Sequence, residues 1–223
     1  MAFASPEQDR ACVPVAKRIR AALLSWDLPS EARVVDVGAG ENPPYRECCP
    51  RGWEYVDVDI DAGDVHADGS VLPFRVGSFD VAVSNAVLEH LPDPAASLAE
   101  IARVVRPGGL LILATHGVYP YHPCPDDYTR WTRSGLARTV GQSFDVESVE
   151  PLGGIVLTLA ILFGFYLELM GTRAVVLRPL RWLVPFVVGI GSRLDRLVPT
   201  MKDGQERWGA IAPAYIVRAR GRS

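Results

Sequence analysis

The chain has 223 residues, 48% hydrophobic and 22% charged, which excludes a disordered or fibrous chain and suffices for one sizeable core. A formal net charge of -3 gives no overall attraction to phosphate backbones, so nucleic acid is not expected as the main partner. The four cysteines, Cys12, Cys48, Cys49 and Cys124, form no C-x-x-C pair and have no histidine pair at metal spacing. They read as reduced packing thiols, with adjacent Cys48 and Cys49 open to a soft metal or a strained redox pair. Met1 to Arg10 carries Pro6, Glu7 and Asp9 without an apolar core, which reads as no secretory signal and hence a cytoplasmic location.

In chain order, Val15, Ile19, Ala22 and Leu23 recur at helical spacing and predict an amphipathic helix within Cys12 to Leu28. The β-branched run Arg33 to Val37 breaks into Gly38-Ala39-Gly40, and Trp53 to Asp59 is a second alternating run; both predict strands. Phe79 to Ser84 is a third. Pro94 to Val105 places Leu98, Ile101, Ala102 and Val105 on one helical face. That helix is expected to stop at Arg106-Pro107-Gly108-Gly109, and Leu110 to Thr115 to form a buried strand after it. Alternating strands and helices imply an α/β fold with a parallel sheet, because parallel neighbours need crossover connections.

In an open parallel sheet, ligands bind outside the carboxyl ends of the strands. Gly38 and Gly40 let the chain turn tightly there and let a ligand approach the main chain without meeting a Cβ. A dinucleotide fingerprint would want a third small residue at position 43, where this chain has Pro43-Pro44, so NAD is disfavoured.

The ordered strings VVDVGAGENPPY, YVDVDID, HADGSVLPF, FDVAVSNAVLEHLPDP and AEIARVVRPGGLLILATH resemble the motif set of class I S-adenosylmethionine-dependent methyltransferases, over roughly residues 32 to 150. The resemblance implies S-adenosyl-L-methionine as cofactor and Asp36, Gly38, Ala39 and Gly40 around its methionine moiety, where a carboxylate suits an ammonium group. It implies Asp59 at the ribose hydroxyls, with Asp57 and Asp61 as near alternates that are otherwise expected to be solvated. Asp68 and Gly69 match the adenine-contacting position, with a turn former as the plainer reading of Asp68. Asn85 and Ala86 fall where the family lines the reactive end of the cofactor. Only Ile60 to Gly63 separates the second strand from the region around Asp64 to Ala67, too short for a crossover helix, so a rudimentary strand is expected in that region.

Methyl transfer from a sulfonium needs no acid to activate the donor. Alignment of the acceptor, with a base for a hydroxyl or amine, is therefore the chemistry to look for. His90, His116 and His122 are the base candidates, His116 and His122 being favoured on the substrate side, while packing or capping is the favoured role for His90. The stretch THGVYPYHPCPDDYTRWT, beginning at Thr115, suits an ordered lid better than a connector. Tyr128, Arg130 and Trp131 are expected around the acceptor, Arg130 pairing either with an acidic substrate or with Asp126 or Asp127. No metal-ligand spacing is recognisable, so no metal is expected.

Leu152 to Met170 carries one charge, Glu168, and Ala174 to Gly191 is apolar apart from Arg178 and Arg181. Three uses fit: a hairpin in a membrane interface or over a lipid-like acceptor, internal or homodimer packing, and a membrane span. Leu159, Phe163 and Leu167 are expected to share a helical face. Asp145 to Glu150 and Ala210 to Arg220 then complete the family's Rossmann-like, mostly parallel seven-stranded sheet, with helices on both faces and the last strand antiparallel. One domain is expected, with an N-terminal helix over 1–30, a cofactor-binding core over 31–151, the apolar helical insertion over 152–207 and the final strand over 208–223. Methyl transfer to a small, hydrophobic or lipid-linked acceptor is the leading expectation. A non-catalytic binding or assembly protein and a nicotinamide oxidoreductase are the rivals.

Overall fold

The β-branched runs become strands β1 (Arg33–Val37), β2 (Glu54–Asp59), β3 (Val65–His66), β4 (Phe79–Asn85), β5 (Val105–His116), β6 (Phe144–Pro151) and β7 (Ala214–Gly221). The helices are α1 (Pro94–Val104), α2 (Arg133–Val140), α3 (Ile155–Arg173) and α4 (Val184–Leu194). The computed structural model describes residues 31–41, 45–46, 49, 52–123, 126–173, 182–194 and 211–222. The helix expected over 12–28, Cys12, Cys48, Cys124, Pro43, Pro44 and the insertion beyond Leu194 lie outside them.

One sheet holds all seven strands in the order β3-β2-β1-β4-β5-β7-β6. β1 pairs in parallel with β2 and β4, and β4 with β5, whereas β7 runs antiparallel to both β5 and β6. Placing β1 centrally aims its carboxyl end at the point where the strand order reverses, where an open α/β sheet has its crevice. β3 is the short strand expected after β2, pairing Val58 with Val65 and Asp59 with His66.

Period-two alternation divides the core. Val35, Val37, Leu111 and Leu113 face one side, where Leu98, Ile101 and Val104 of α1 and Leu136 and Val140 of α2 cover them. Val34, Val81, Val83 and Ile112 face the other, closed by Tyr45 and Leu152. Asp93 caps α1 by accepting from Ala95 N and Ala96 N, and Pro94 opens the first turn, where its missing N–H costs no helical bond.

Two boundaries differ from expectation. The helix stops at Val104, and β5 begins directly at Val105, which pairs with Phe79; the register shifts before Val81 meets Leu110. Pro107, without a donor, thus sits in an irregular stretch of a strand rather than in a separate turn, and Gly108 takes the positive φ of 72° that the irregularity requires. The last strand starts at Ala214.

The described part of the insertion holds a helical pair. Leu157 and Ile161 of α3 pack on Val188 of α4, and the helices approach so closely that a Cβ on Gly191 would lie 2.4 Å from Ala160 Cβ. Among the described residues no helix is long and apolar enough to cross a membrane. Leu159 and Phe163 are exposed, but Leu167 is buried. The expected shared face is therefore corrected: steps of four residues drift about 40° each, which turns the third position inward. Tyr166 and Trp182 are exposed instead, Trp182 at 83%.

Candidate functional site

At the end of β1 the chain reverses through Gly38 and Gly40, with φ of 76° and 68°. Gly38 N and Ala39 N donate to Val58 O at 2.8 and 3.2 Å, and Gly40 N donates to Asp59 Oδ2 at 3.0 Å, so the turn is laced to β2. A Cβ on Gly40 would meet nothing within 4 Å, whereas one on Gly38 would lie 2.2 Å from Val87 Cγ2. The turn is thus open at Gly40 and closed at Gly38 by the loop after β4. Ala39 lies between them, its amide already engaged.

Asp36 is buried and accepts a hydrogen bond from the Tyr55 hydroxyl. Burial pushes its carboxyl up to about 7, against the opposing pull of Tyr55. Asp59, half-buried at the end of β2, also accepts from Asp61 N at 3.1 Å. The expectation that Asp57 is solvated is corrected. It is buried and ion-paired with Arg46, which also holds Asp64, because that face of β2 is covered by the segment after the glycine turn. Asp61 is exposed, as expected.

The loop after β3 is drawn toward β2, Ala67 N donating to Asp59 O at 2.9 Å. Asp68 Oδ1 accepts from Ser70 N and Oγ at 2.8 and 2.7 Å, which holds its carboxyl below the usual range and makes it the turn former of the plainer reading. Gly69 packs beneath, its carbonyl accepting from Ser97 Oγ at 3.1 Å. Beyond half-buried Asn85, Ala86 has φ 55°, the only positive φ of a non-glycine residue among those described. A left-handed alanine costs about 1 to 2 kcal/mol, and its amide is held to Ala114 O at 2.9 Å.

At the carboxyl end of β5 the structure brings together residues far apart in sequence. His116 ends β5, is buried, and its Nδ1 contacts Glu89. Glu89 is fully buried in the short turn Leu88–His90 and accepts from Thr115 Oγ1 at 2.7 Å. Burial opposes its ionised form, but hydrogen bonds and charge from His116 win and hold the carboxyl low. The ring of His122 meets those of His116 and His90 edge-on at 4.8 and 5.0 Å between centroids. Desolvation, reinforced by His116, lowers the His122 pKa. The Nδ1 of His90 lies 2.6 Å from Asp126 O.

The described residues after β5 are tied down at several points. Tyr128 N donates to Glu89 O at 2.7 Å and Trp131 N to His116 O at 3.1 Å, while Gly117 N reaches Pro213 O at 2.9 Å. Asp127 pairs with Arg130, which holds its carboxyl down to about 2 although burial opposes this. Of the two partners expected for Arg130, the structure thus supplies Asp127, together with the carbonyls of Tyr119 and Pro120. Tyr128 is exposed and bonds Asp126, whereas Trp131 packs against the main core rather than standing free in a pocket. A cleft of about 190 Å³ is lined by Tyr119, Tyr121, Asp127, Tyr128, Thr129 and Arg130. Tyr119 also meets Phe165 of α3 edge-on at 5.6 Å, which links this segment to the insertion.

Glu89 is the residue that sequence reasoning missed. Its signal was an acid inside the otherwise apolar string AVLEHL, but a helical turn and a buried carboxylate look alike until Thr115 and His116 close on it.

Residues 35–113 match the family model described as a methyltransferase domain. An uncharacterized methyltransferase of Mycobacterium sp. (strain JLS) is 39% identical over 99 residues, covering 39% of this chain and 39% of that protein. The chain spans about two fifths of the length of the curated relatives it matches. Among solved structures, the cyclase SpnF shares the fold at TM-score 0.61 and 15% identity, over 93% of this chain and 81% of that one. The 1,6-didemethyltoxoflavin-N1-methyltransferase of Burkholderia thailandensis, solved with its namesake ligand and S-adenosylhomocysteine, does so at TM-score 0.56 and 16% identity, over 96% and 79%. Residues 35–113 thus resemble a methyltransferase domain, and the sheet has the fold of these solved structures.

Proposed function

We propose that the chain transfers a methyl group from S-adenosylmethionine to a small, hydrophobic or lipid-linked acceptor. The observation that carries the reading is the glycine turn, open at Gly40 and flanked by the carboxylates of Asp36 and Asp59. Asp36 would meet the ammonium group, Asp59 the ribose hydroxyls, and Asp68 with Gly69 the adenine edge, while Asn85 and strained Ala86 would border the reactive end. When bound, the cofactor supplies an electrophilic methyl group on a sulfonium. The chain's own task is to hold the acceptor in line and exclude water. His116, His122, Tyr128 and Arg130 stand on the acceptor side, and contact between Tyr119 and Phe165 joins that side to the apolar insertion, which favours an acceptor with an apolar part. One domain would include both, the insertion over 152–207 entering before the final strand.

Calorimetry with S-adenosylhomocysteine and with NAD tests this reading. Binding of S-adenosylhomocysteine with none of NAD is expected, and the converse would make the chain an oxidoreductase on the same sheet. Binding without turnover of any acceptor in a panel of apolar alcohols, phenols and amines would favour the non-catalytic reading, which the fold permits because one fold hosts many functions.

A further inference from the structure

We propose that Glu89, His116 and His122 form a binding site for one divalent ion of the zinc, cobalt or iron(II) class. One donor atom from each of the three lies within 4.8 Å of the others. Ligand atoms about a tetrahedral ion at roughly 2.1 Å lie about 3.4 Å apart, so the set closes by no more than about 1.4 Å. Two imidazoles and one carboxylate suit borderline ions and disfavour magnesium or calcium, which take oxygen donors.

Three features go beyond proximity. The Glu89 carboxylate is fully buried, and among the described residues no lysine or arginine pairs with it; its side-chain partners are Thr115 and His116. A buried charge is ordinarily paired or bound to a metal. The His122 ring is held at Nδ1, which lies 3.2 Å from both Pro120 O and Arg130 Nη2 and 3.3 Å from Asp127 Oδ2, and its amide donates to that carboxylate at 2.9 Å. A backbone carbonyl or carboxylate behind one ring nitrogen, leaving the other to the ion, is how metal-ligating histidines are held. The backbones also fix the three with respect to one another, since Tyr128 N donates to Glu89 O and Trp131 N to His116 O. The loop that brings His122 is therefore anchored to both other ligands, and three of the chain's four histidines converge here.

Three protein donors leave a coordination position open. A hydroxyl bound there loses its proton to solvent at a lower pH than it would free, because the ion stabilises the alkoxide or phenoxide. That role, on the acceptor side, rests on the methyltransferase reading; the binding of the ion does not.

The test uses the tag-free full chain, treated with chelator and dialysed. Titration with Co2+ should give the intense visible absorption of a four- or five-coordinate site, saturating at one equivalent, and Zn2+ should displace it in calorimetry. His122→Ala and Glu89→Gln should each abolish the stoichiometric site, while His66→Ala, on β3, should leave it intact. Circular dichroism melts confirm that each variant is folded, and His122→Ala removes only a loop side chain. A Co2+ spectrum of the octahedral, aquo type, or undiminished binding by folded His122→Ala, would overturn the proposal. S-adenosylhomocysteine binding measured on the same samples separates the two readings. A chain that binds it but holds no ion refutes the metal site alone, and a chain that holds the ion but binds no S-adenosylhomocysteine refutes the cofactor reading alone.

Discussion

Asp59 accepts from Gly40 N at 3.0 Å, so the carboxylate assigned to the ribose also fixes the shape of the turn beside it. Asp59→Ala therefore removes two things, a charge-assisted acceptor for the ligand and a tie between β2 and the turn. S-adenosylhomocysteine affinity should fall by roughly 1 to 3 kcal/mol, and Asp59→Asn, which keeps one acceptor oxygen, should lose less. Calorimetry reads both. Unchanged affinity in Asp59→Ala would remove Asp59 from the site.

Gly38 cannot carry a side chain for a reason that lies in the protein. With φ 76° it sits where L residues are disfavoured, and its added Cβ would overlap Val87 Cγ2 at 2.2 Å. Valine is stiff at χ1 and cannot swing away. Gly38→Val should abolish S-adenosylhomocysteine binding, and the milder Gly38→Ala should weaken it at least tenfold, on the order of 1.4 kcal/mol. Adding Val87→Ala to Gly38→Ala relieves the overlap but not the backbone strain, so it should recover part of the loss. No recovery in the double variant would show that Val87 is not what closes the turn.

The buried Asp36 predicts a pH dependence of known sign. Its folded-state carboxyl is raised to about 7 by burial, so the folded protein keeps a proton that the unfolded chain has released. The group's contribution to stability is present below its unfolded value of about 4 and is lost as pH rises through about 7. The ammonium group of a bound ligand reverses the preference, because it favours the ionised carboxylate. S-adenosylhomocysteine should therefore bind about tenfold more tightly near pH 8 than near pH 6. Tyr55→Phe removes the hydrogen bond that holds the carboxyl down, and should move that window to higher pH. Affinity independent of pH over this range would separate Asp36 from the ammonium group.

Local periodicity made most of the sheet legible in the sequence. β-branched runs stopping at Gly38-Ala39-Gly40, at Asp59 and at Ser84 fall at or next to the ends of β1, β2 and β4, because a strand's side-chain alternation and its stop signal are both written within a few residues. Asp57 is misread for the same reason. Period two places it on a face but does not say that Arg46, from another segment, covers that face. The start of β5 is missed because Pro107-Gly108-Gly109 signals a turn, whereas tertiary pairing of Val105 with Phe79 extends the strand through it. Glu89 and His116 are 27 positions apart and meet only because β5 lies beside β4. No local pattern carries that information.

The insertion exposes what globular proteins ordinarily bury. Leu159, Phe163, Tyr166 and Leu169 of α3 and Phe186 of α4 are each at least half exposed, and Trp182 nearly fully so. Leu157, Ile161 and Val188 form the buried contact between the two helices, and these outer side chains lie outside that cluster. Apolar patches of this kind are characteristic of interfaces, and because Arg173, Arg178 and Arg181 neighbour them in the sequence, binding to an anionic lipid surface is the predicted outcome. Full-length protein should co-sediment with vesicles containing phosphatidylglycerol and remain in the supernatant with neutral ones at moderate salt. Leu159→Ser, Phe163→Ser and Phe186→Ser together remove roughly 1 kcal/mol each of apolar transfer, so vesicle binding should fall on the order of 100-fold. Because all three side chains are exposed and belong to neither of the sheet's cores, S-adenosylhomocysteine affinity and melting temperature should stay as in the parent. A parent chain that ignores vesicles and runs as a dimer, which the triple variant converts to monomer, would assign the patch to a second copy of this chain instead.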